Sequence, residues 1–469
     1  MKRRKSSCLR GLILLGVMAA DFAALATVRT DAPIDPEMAR PLLDHLLPPR
    51  EAIDLCGPDT WQYAQVKQGT GLDDPTIRWD TVRVPARTFF NCGAPSDRPN
   101  TALYRKTFTL SEEQAKRHVE IRFELAGEHA DVFVNGQLAG RSREWCLPFD
   151  VDATPFIKPG ENRIDVRCWR DPDYSDGKKC PVTFGWLTSC YTGISRPVHV
   201  ELSNQVRIRD LLVSTKVVGA KRLDVEVEVE NQTERPVRIE LVGTLKEGSE
   251  NLLKIESGAA EIPSMSVRKV KLGGVCAAVR AWNPDSPNLY NLDLSLVQEK
   301  SSSVVLDAVR QRIGFTEVRI EGNRVLFNGH PMLNRRDSVS LGSCQDWKLN
   351  PSGERMRKLI ALYKRRGFVS RRCDMATLVR EARVCDEEGF LFSPLLPTGA
   401  AYAREPPYWG NVSNMVAKAA RRFRNHPSLL YWCLFNEFGK FYGVSTWKEQ
   451  YPKMCAMGDW LMENDPARF

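Results

Sequence analysis

The residue pattern changes period once along the chain, and that change narrows the folds open to it. From about residue 100 to 312, apolar and polar residues alternate in short runs, as in half-buried strands. After about residue 350, apolar residues recur at helical spacing, with short apolar segments between the helices. Such an order predicts β-sandwich modules followed by a parallel βα array. In the first half, Thr101–Leu110, His118–Leu125, Asp131–Val134 and Arg163–Trp169 read as strands. Asn135-Gly136 is a hairpin turn, because both residues tolerate positive φ, and Lys158–Asn162 is a second turn. Leu223–Glu230, Val237–Leu245 and Leu292–Val297 continue as a second, smaller sandwich.

In the second half, Glu354–Arg366 sets Met356, Leu359, Ile360 and Tyr363 at helical spacing. Thr377–Glu388 carries Leu378, Ala382 and Cys385 and closes on Gly389, a residue suited to the position after a helix. Ser413–Phe423 aligns Met415, Val416, Ala419 and Phe423. Phe368–Ser370, Phe390–Phe392 and Leu429–Phe435 read as buried strands between the helices, giving roughly four strands in all. The basic patches Lys364–Arg366 and Arg421-Arg422 with Arg424 read as solvated helix faces.

The chain has 469 residues, 42% hydrophobic and 27% charged, which excludes a disordered, collagen-like or multi-span membrane protein. Its length suggests about three domains. Five basic residues (Lys2, Arg3, Arg4, Lys5, Arg10) and Asp21 fall in residues 1–26, so the net charge of +9 would become +5 without that segment. The modest excess predicts no nucleic-acid or membrane partner. The basic Lys2–Arg10, the apolar Leu12–Ala20 and Ala24-Leu25-Ala26 make a signal peptide of residues 1–26. The apolar run is too short to anchor in a bilayer, so an exported protein with no membrane span is expected, periplasmic or extracellular.

Thirteen cysteines contain no C-x-x-C pair, which disfavours zinc and thioredoxin-type redox chemistry. Cys146, Cys168, Cys180 and Cys190 are the group best placed to pair in an oxidising compartment. Most others, such as Cys433, read as small buried hydrophobes. There is no G-x-S-x-G, Walker A, H-E-x-x-H or G-x-G-x-x-G helix start, and the six histidines do not cluster, so no metal or cofactor is expected.

One segment carries a chemical signal. Asn425–Phe435 reads as a buried strand that runs straight into Asn436 and Glu437. In a parallel barrel, catalytic groups collect at the C-terminal rim. A carboxyl there, shielded by aromatic side chains, would have a raised pKa and could donate a proton. From the residues alone, the segment reads equally as a strand ending in a solvated Asn-Glu pair.

The string H-P-S-x-x-x-W-x-x-x-N-E over His426–Glu437 resembles the acid/base strand of glycoside hydrolase family 2, the β-galactosidase, β-glucuronidase and β-mannosidase group. Ala102–Phe108, Val132–Gly140, Lys158–Asn162 and Gly193–Val198 are similar to that family's N-terminal jelly-roll. Ala281–Ser295 resembles the end of its immunoglobulin-like domain, and Ile313–Pro331 the entry to its TIM barrel. The resemblance implies a multidomain chain: a jelly-roll β-sandwich over 27–203, an immunoglobulin-like β-sandwich over 204–312, and part of a (β/α)8 TIM barrel over 313–469. It implies Glu437 as general acid/base, Asn436 as the partner of the sugar 2-hydroxyl, and Arg372 as the arginine after barrel strand two that supports the nucleophile. The substrate implied is a β-glycoside. Val369 and Met375 stand where the family has Asn and His, Leu391–Pro394 lacks its acidic residue, and Asn334–Asp337 replaces a glycine-containing turn.

Retention of configuration needs two carboxylates about 5 Å apart. The family's nucleophile lies on barrel strand seven, but only 32 residues follow Glu437. Residues 313–469 are also few for a barrel of about 250 residues. The expectation is therefore an exported retaining glycosidase whose sequence is cut short at its C-terminus and lacks the nucleophile. The alternative is a non-catalytic carbohydrate-binding or scaffold protein with a degenerate barrel remnant.

Overall fold

A computed structural model describes residues 39–67, 69–85, 101–127, 129–143, 147–169, 193–299, 301–337, 353–374, 378–396, 408–435 and 447–468. The segment 1–26, Met375, Asn436 and Glu437 lie outside the described residues, as do Cys146, Cys180 and Cys190.

The first module is a two-sheet sandwich. One sheet has the order Glu51–Asp54, Val198–Ser203, His118–Phe123, Phe149–Asp152. The other has the order Asp80–Val84, Gly57–Val66, Thr101–Leu110, Gly160–Trp169, His129–Val134, Gln137–Ser142. The inward residues of both, including Trp61, Tyr104, Phe123 and Val166, form one core. The expected hairpin is present: Asn135 and Gly136 adopt φ of 50° and 84°. The two expected turns are also bonded to each other. Asn135 Nδ2 donates to Asn162 Oδ1 and its own Oδ1 accepts from the Arg163 N–H, each at 2.9 Å. Asn162 in turn accepts from the Lys158 N–H and donates to the Lys158 carbonyl. Cys168 is a buried free thiol, so the pairing expected for its group is not formed at that residue.

The second module is a smaller sandwich. Val206–Lys216, Arg222–Asn231 and Ser266–Val275 pair in one sheet. Glu250–Ile262, Val237–Glu247, Tyr290–Gln298 and Ser301–Ile313 pair in the other. Strict alternation in Arg222–Asn231 turns Leu223, Val225, Val227 and Val229 inward and leaves the acidic residues outside.

A three-stranded antiparallel sheet, Val318–Glu321, Arg324–Phe327 and His330–Pro331, leads into the C-terminal part. There Arg336–Asp337, Ser370–Asp374 and Leu391–Leu395 pair in parallel. Parallel bridges Phe392–Leu429 and Leu395–Cys433 add the segment 429–435 as a fourth extended neighbour. Helices Gly353–Arg365, Leu378–Glu388 and Tyr408–Phe423 join these strands, and Trp447–Asn464 follows. Their apolar stripes pack on one sheet face, through Met356, Ile360, Phe392, Phe423 and Trp432. Among the boundaries that differ from expectation, two have a clear physical cause. The helix expected from Ser413 starts at Tyr408, because buried Tyr408 and Val412 extend its stripe. The second strand is Ser370–Asp374 rather than Phe368–Ser370. Its polar text is buried because Arg371 pairs with Glu381 at 3.2 Å on the helix side.

The basic patches are solvated in part, since Arg365, Arg366, Arg421 and Arg422 are exposed, and the correction concerns the partners that some of their residues find. Arg424 is buried and binds Asp210 at 2.9 Å, Arg421 reaches Asp210 and Glu228, and Lys364 Nζ donates to the Pro284 and Glu388 carbonyls. These side chains dock helices onto the second sandwich, because its edge offers carboxylates and carbonyls where a solvated face was expected. Between the two sandwiches, buried Arg50 joins Glu201 at 2.5 Å and Asp307 at 2.7 Å. Among the described residues, no helix is long and apolar enough to cross a membrane.

Candidate active-site rim

The four parallel segments end on one side of the sheet, and the side chains near those ends define the candidate site. On Ser370–Asp374, Ser370 and Arg372 share the face opposite the helices, since Arg371 between them points to Glu381. Arg372 stands opposite Ser393 in register. Ser370 Oγ donates to Asn334 Oδ1, and Arg336 Nη1 donates to the Tyr431 hydroxyl. The Cys433 thiol belongs to the same cluster. Burial pushes its pKa up, while the nearby guanidiniums of Arg372 and Arg336 act against that rise. Thus Arg336, Arg372 and Cys433, from three different strands, share one charged neighbourhood. Among the described residues, no three His, Cys, Asp or Glu side chains come together as a metal site.

The segment 429–435 is held from both ends. At its start, buried Asp386 accepts from the His426 imidazole, with Nδ1 and Oδ2 2.6 Å apart. A carboxylate can only accept, so Nδ1 carries the proton. Asp386 Oδ1 also accepts from the Ser428 hydroxyl and from the Ser428 N–H at 3.2 Å. Pro427 lies against Gly314, where an added Cβ would stand 2.8 Å from Pro427 Cβ and from Trp282 Cβ. Further along, Trp432 Nε1 donates to Asp465 Oδ2 at 2.8 Å. Arg468 donates to the carbonyls of Leu429 and His426 at 2.8 and 3.0 Å. Burial pushes the Asp465 carboxyl up despite Arg468 and Trp432 beside it.

The His-Pro-Ser and Trp positions of the string are therefore scaffold in the described structure. They fix where the segment starts and which face it shows. Other quoted strings do related work. Trp282 Nε1 donates to the Asp386 carbonyl at 2.8 Å, and Asn328 Nδ2 donates to the Trp282 carbonyl at 2.9 Å. Of the sequence-predicted site residues, Arg372 is on the rim side of the sheet, while Asn436 and Glu437 lie outside the described residues. Sequence reasoning missed the Asp386 anchor and the Arg336–Tyr431 contact. Asp386 looks like an ordinary acidic residue in a helix, and no local signal marks it.

Two β-sandwiches leading into a parallel βα array, with an arginine-lined strand rim, define a class of multidomain β-rich proteins. Residues 51–202 match the sugar binding domain of the glycosyl hydrolases family 2, and residues 206–315 match the glycosyl hydrolases family 2 itself. The chain belongs to glycosyl hydrolase family 2. It is 27% identical to a beta-galactosidase of Aeromonas hydrophila subsp. hydrophila, over 88% of this chain and 40% of that protein. It is 24% identical to a putative beta-glucuronidase of Formosa agariphila, over 76% of this chain and 43% of that protein. The chain thus spans about two fifths of the length of these relatives. Among solved structures, a Bacteroides uniformis beta-glucuronidase matches with TM-score 0.69 and 20% identity, over 89% of this chain and 52% of that one. A putative beta-galactosidase from Bacteroides fragilis matches with TM-score 0.72 and 20% identity, over 90% and 63%. At that identity the likeness to the solved structures shows the fold alone.

Proposed function

We propose that the whole protein is an exported retaining β-glycosidase. On this reading residues 1–26 are a signal peptide, 27–203 a jelly-roll, 204–312 an immunoglobulin-like sandwich, and 313–469 the N-terminal part of a TIM-barrel catalytic domain. Glu437 protonates the leaving oxygen and then activates water, as general acid/base. Asn436 binds the 2-hydroxyl of the sugar. Arg372 supports a nucleophilic carboxylate supplied by a strand beyond those described. The chemistry needs no cofactor, and the partner is a carbohydrate β-glycoside.

The observation that carries this reading is the anchoring of 429–435. That segment runs parallel beside Leu391–Leu395, which itself pairs in parallel with the strand bearing Arg372. It is clamped by Asp386, Asp465 and Arg468, and Asn436 and Glu437 follow it directly in sequence. A strand so fixed suits a group that must meet a scissile bond within a fraction of an ångström. The test is the stereochemistry of hydrolysis by the whole protein, followed by proton NMR on aryl β-glycosides. The first-formed sugar should be the β-anomer, and an α-anomer released first would overturn the mechanism.

A second reading, a non-catalytic carbohydrate-binding protein, draws support from one contact. The Arg336–Tyr431 hydrogen bond ties the first and fourth parallel segments together across the rim. Its result would be saturable glycoside binding without turnover.

A further inference from the structure

Where the three modules meet, the described residues line a cavity of about 290 Å³. It lies at the opposite ends of the parallel strands from Arg372, since Asp386 and His426, which precede the third and fourth strands, form part of its wall. Its volume is at the low end of the range for small-molecule sites. Eight arginines and five carboxylates line it. Six of those arginines end on carboxylates, for example Arg50 on Glu201 and Arg421 on Asp210.

Arg209 and Arg422 do not. Among the described residues neither side chain makes an ion pair or a hydrogen bond; both line the cavity and both are exposed to solvent. The acids that act on Arg422, Glu124 and Asp150, are already engaged, by Arg380 at 2.9 Å and Arg122 at 3.7 Å. Arg209 occupies a β-bulge, where the ladder between Val206–Lys216 and Arg222–Asn231 shifts register between Ile208 and Asp210. A bulge turns one residue out of the sheet's alternation and re-aims its side chain. A third group is His199 in the first sandwich. It is only 5% exposed, it lines the same cavity, and its Nδ1 has no hydrogen-bond partner among the described residues. Its Nε2 faces Glu201 at 3.9 Å.

We propose that this cavity binds a small tetrahedral oxyanion, phosphate or sulfate, free or carried on a monosaccharide, held by Arg209, Arg422 and His199 from three separate modules. Guanidinium forks suit such oxygens, and the buried His199 Nδ1 donates to one of them in the tautomer that carries its proton there. Both guanidiniums are exposed, so water screens their mutual repulsion, and the gain on binding comes from the charge-assisted hydrogen bonds themselves. A ligand touching all three modules would also hold them in their docked arrangement.

The test is calorimetric titration of the full chain with inorganic phosphate, at constant ionic strength, with glucose 6-phosphate and sulfate as further arms. One saturable site is expected. Arg209→Gln and Arg422→Gln should each weaken phosphate binding tenfold or more, while Arg235→Gln, on an exposed turn of the second sandwich, should leave it unchanged. Circular dichroism checks the fold of each variant. Should either glutamine variant unfold, Arg422→Lys, which keeps the charge and loses the fork, should still weaken binding severalfold. Tighter binding of glucose 6-phosphate than of phosphate assigns the sugar-borne anion, and the reverse order assigns the free one. No saturable heat at tens of millimolar phosphate, or equal binding by wild type and both glutamine variants, overturns the proposal.

Discussion

Asp386 anchors the start of the segment that precedes Asn436 and Glu437, so its removal tests whether that anchor or the strand pairing holds the segment. In Asp386→Ala, the His426 Nδ1–H at 2.6 Å, the Ser428 hydroxyl and the Ser428 N–H at 3.2 Å lose their acceptor together. The carboxylate is 2% exposed, so water does not readily replace it. A hydrogen bond to a charged group contributes roughly 1.5–3 kcal/mol, and the two shorter contacts carry most of the effect, about 3–6 kcal/mol. Relief of the desolvation of a buried charge offsets part of this, leaving a net loss of about 2–3 kcal/mol. At about 1.4 kcal/mol per decade, local opening should rise about 30- to 140-fold. Hydrogen exchange by mass spectrometry reads this in the amides of Leu430 and Cys433, which bond to the carbonyls of Phe392 and Pro394. Amides of the second sandwich serve as the internal reference. A rise below about threefold, or an equal rise in the reference sandwich, would refute the anchoring role.

Three other consequences are separable from that one. Gly389 has φ of 64°, and a Cβ there would stand 2.3 Å from the Pro284 carbonyl oxygen. Gly389→Ala should cost about 2–5 kcal/mol from left-handed strain and overpacking and lower the thermal midpoint by several degrees; an unchanged midpoint would show that the close approach is not there. Burial works against ionisation of Glu201, yet Arg122, His199, His45 and Arg50 outweigh it and hold the carboxyl well below the usual range. A folded pKa below the unfolded one gives stability that is full above about pH 4.3 and is lost as pH falls through the folded value. Glu201→Gln should therefore flatten the acid limb of the stability profile, and an unaltered limb would contradict the assignment. Burial raises the Cys168 thiol pKa, whereas Cys455 is exposed. Native iodoacetamide labelling with peptide mapping should modify Cys455 well before Cys168, and the reverse order would count against this packing.

The sandwiches were legible because alternation reports directly which side of a strand is buried. Leu223–Glu230 pointed to the strand Arg222–Asn231, and Asn135-Gly136 marked the hairpin between His129–Val134 and Gln137–Ser142 in the first sandwich by backbone conformation alone. The parallel part was legible in its helices and less so in its strands. Ser370–Asp374 reads as polar, and it is buried only because Arg371 meets Glu381 from a neighbouring helix. Periodicity cannot register such a long-range partner. The basic patches misled in part for a similar reason. Arg424 looks like a solvent-facing residue until Asp210 of the second sandwich is placed beside it, whereas Arg421 stays exposed as expected. At the rim, the sequence pointed to Arg372. The roles of His426, Ser428 and Trp432 became readable only once Asp386 and Asp465 were brought against them.

The most direct test of the proposed glycosidase is Glu437→Gln in the whole protein, assayed on a pair of aryl β-glycosides with good and poor leaving groups. Loss of the general acid should reduce turnover of the poor leaving group by about 10²- to 10⁴-fold and spare the good one in its first, glycosylation step. Unchanged turnover of the poor leaving group would contradict the role given to Glu437, and with it the proposed mechanism.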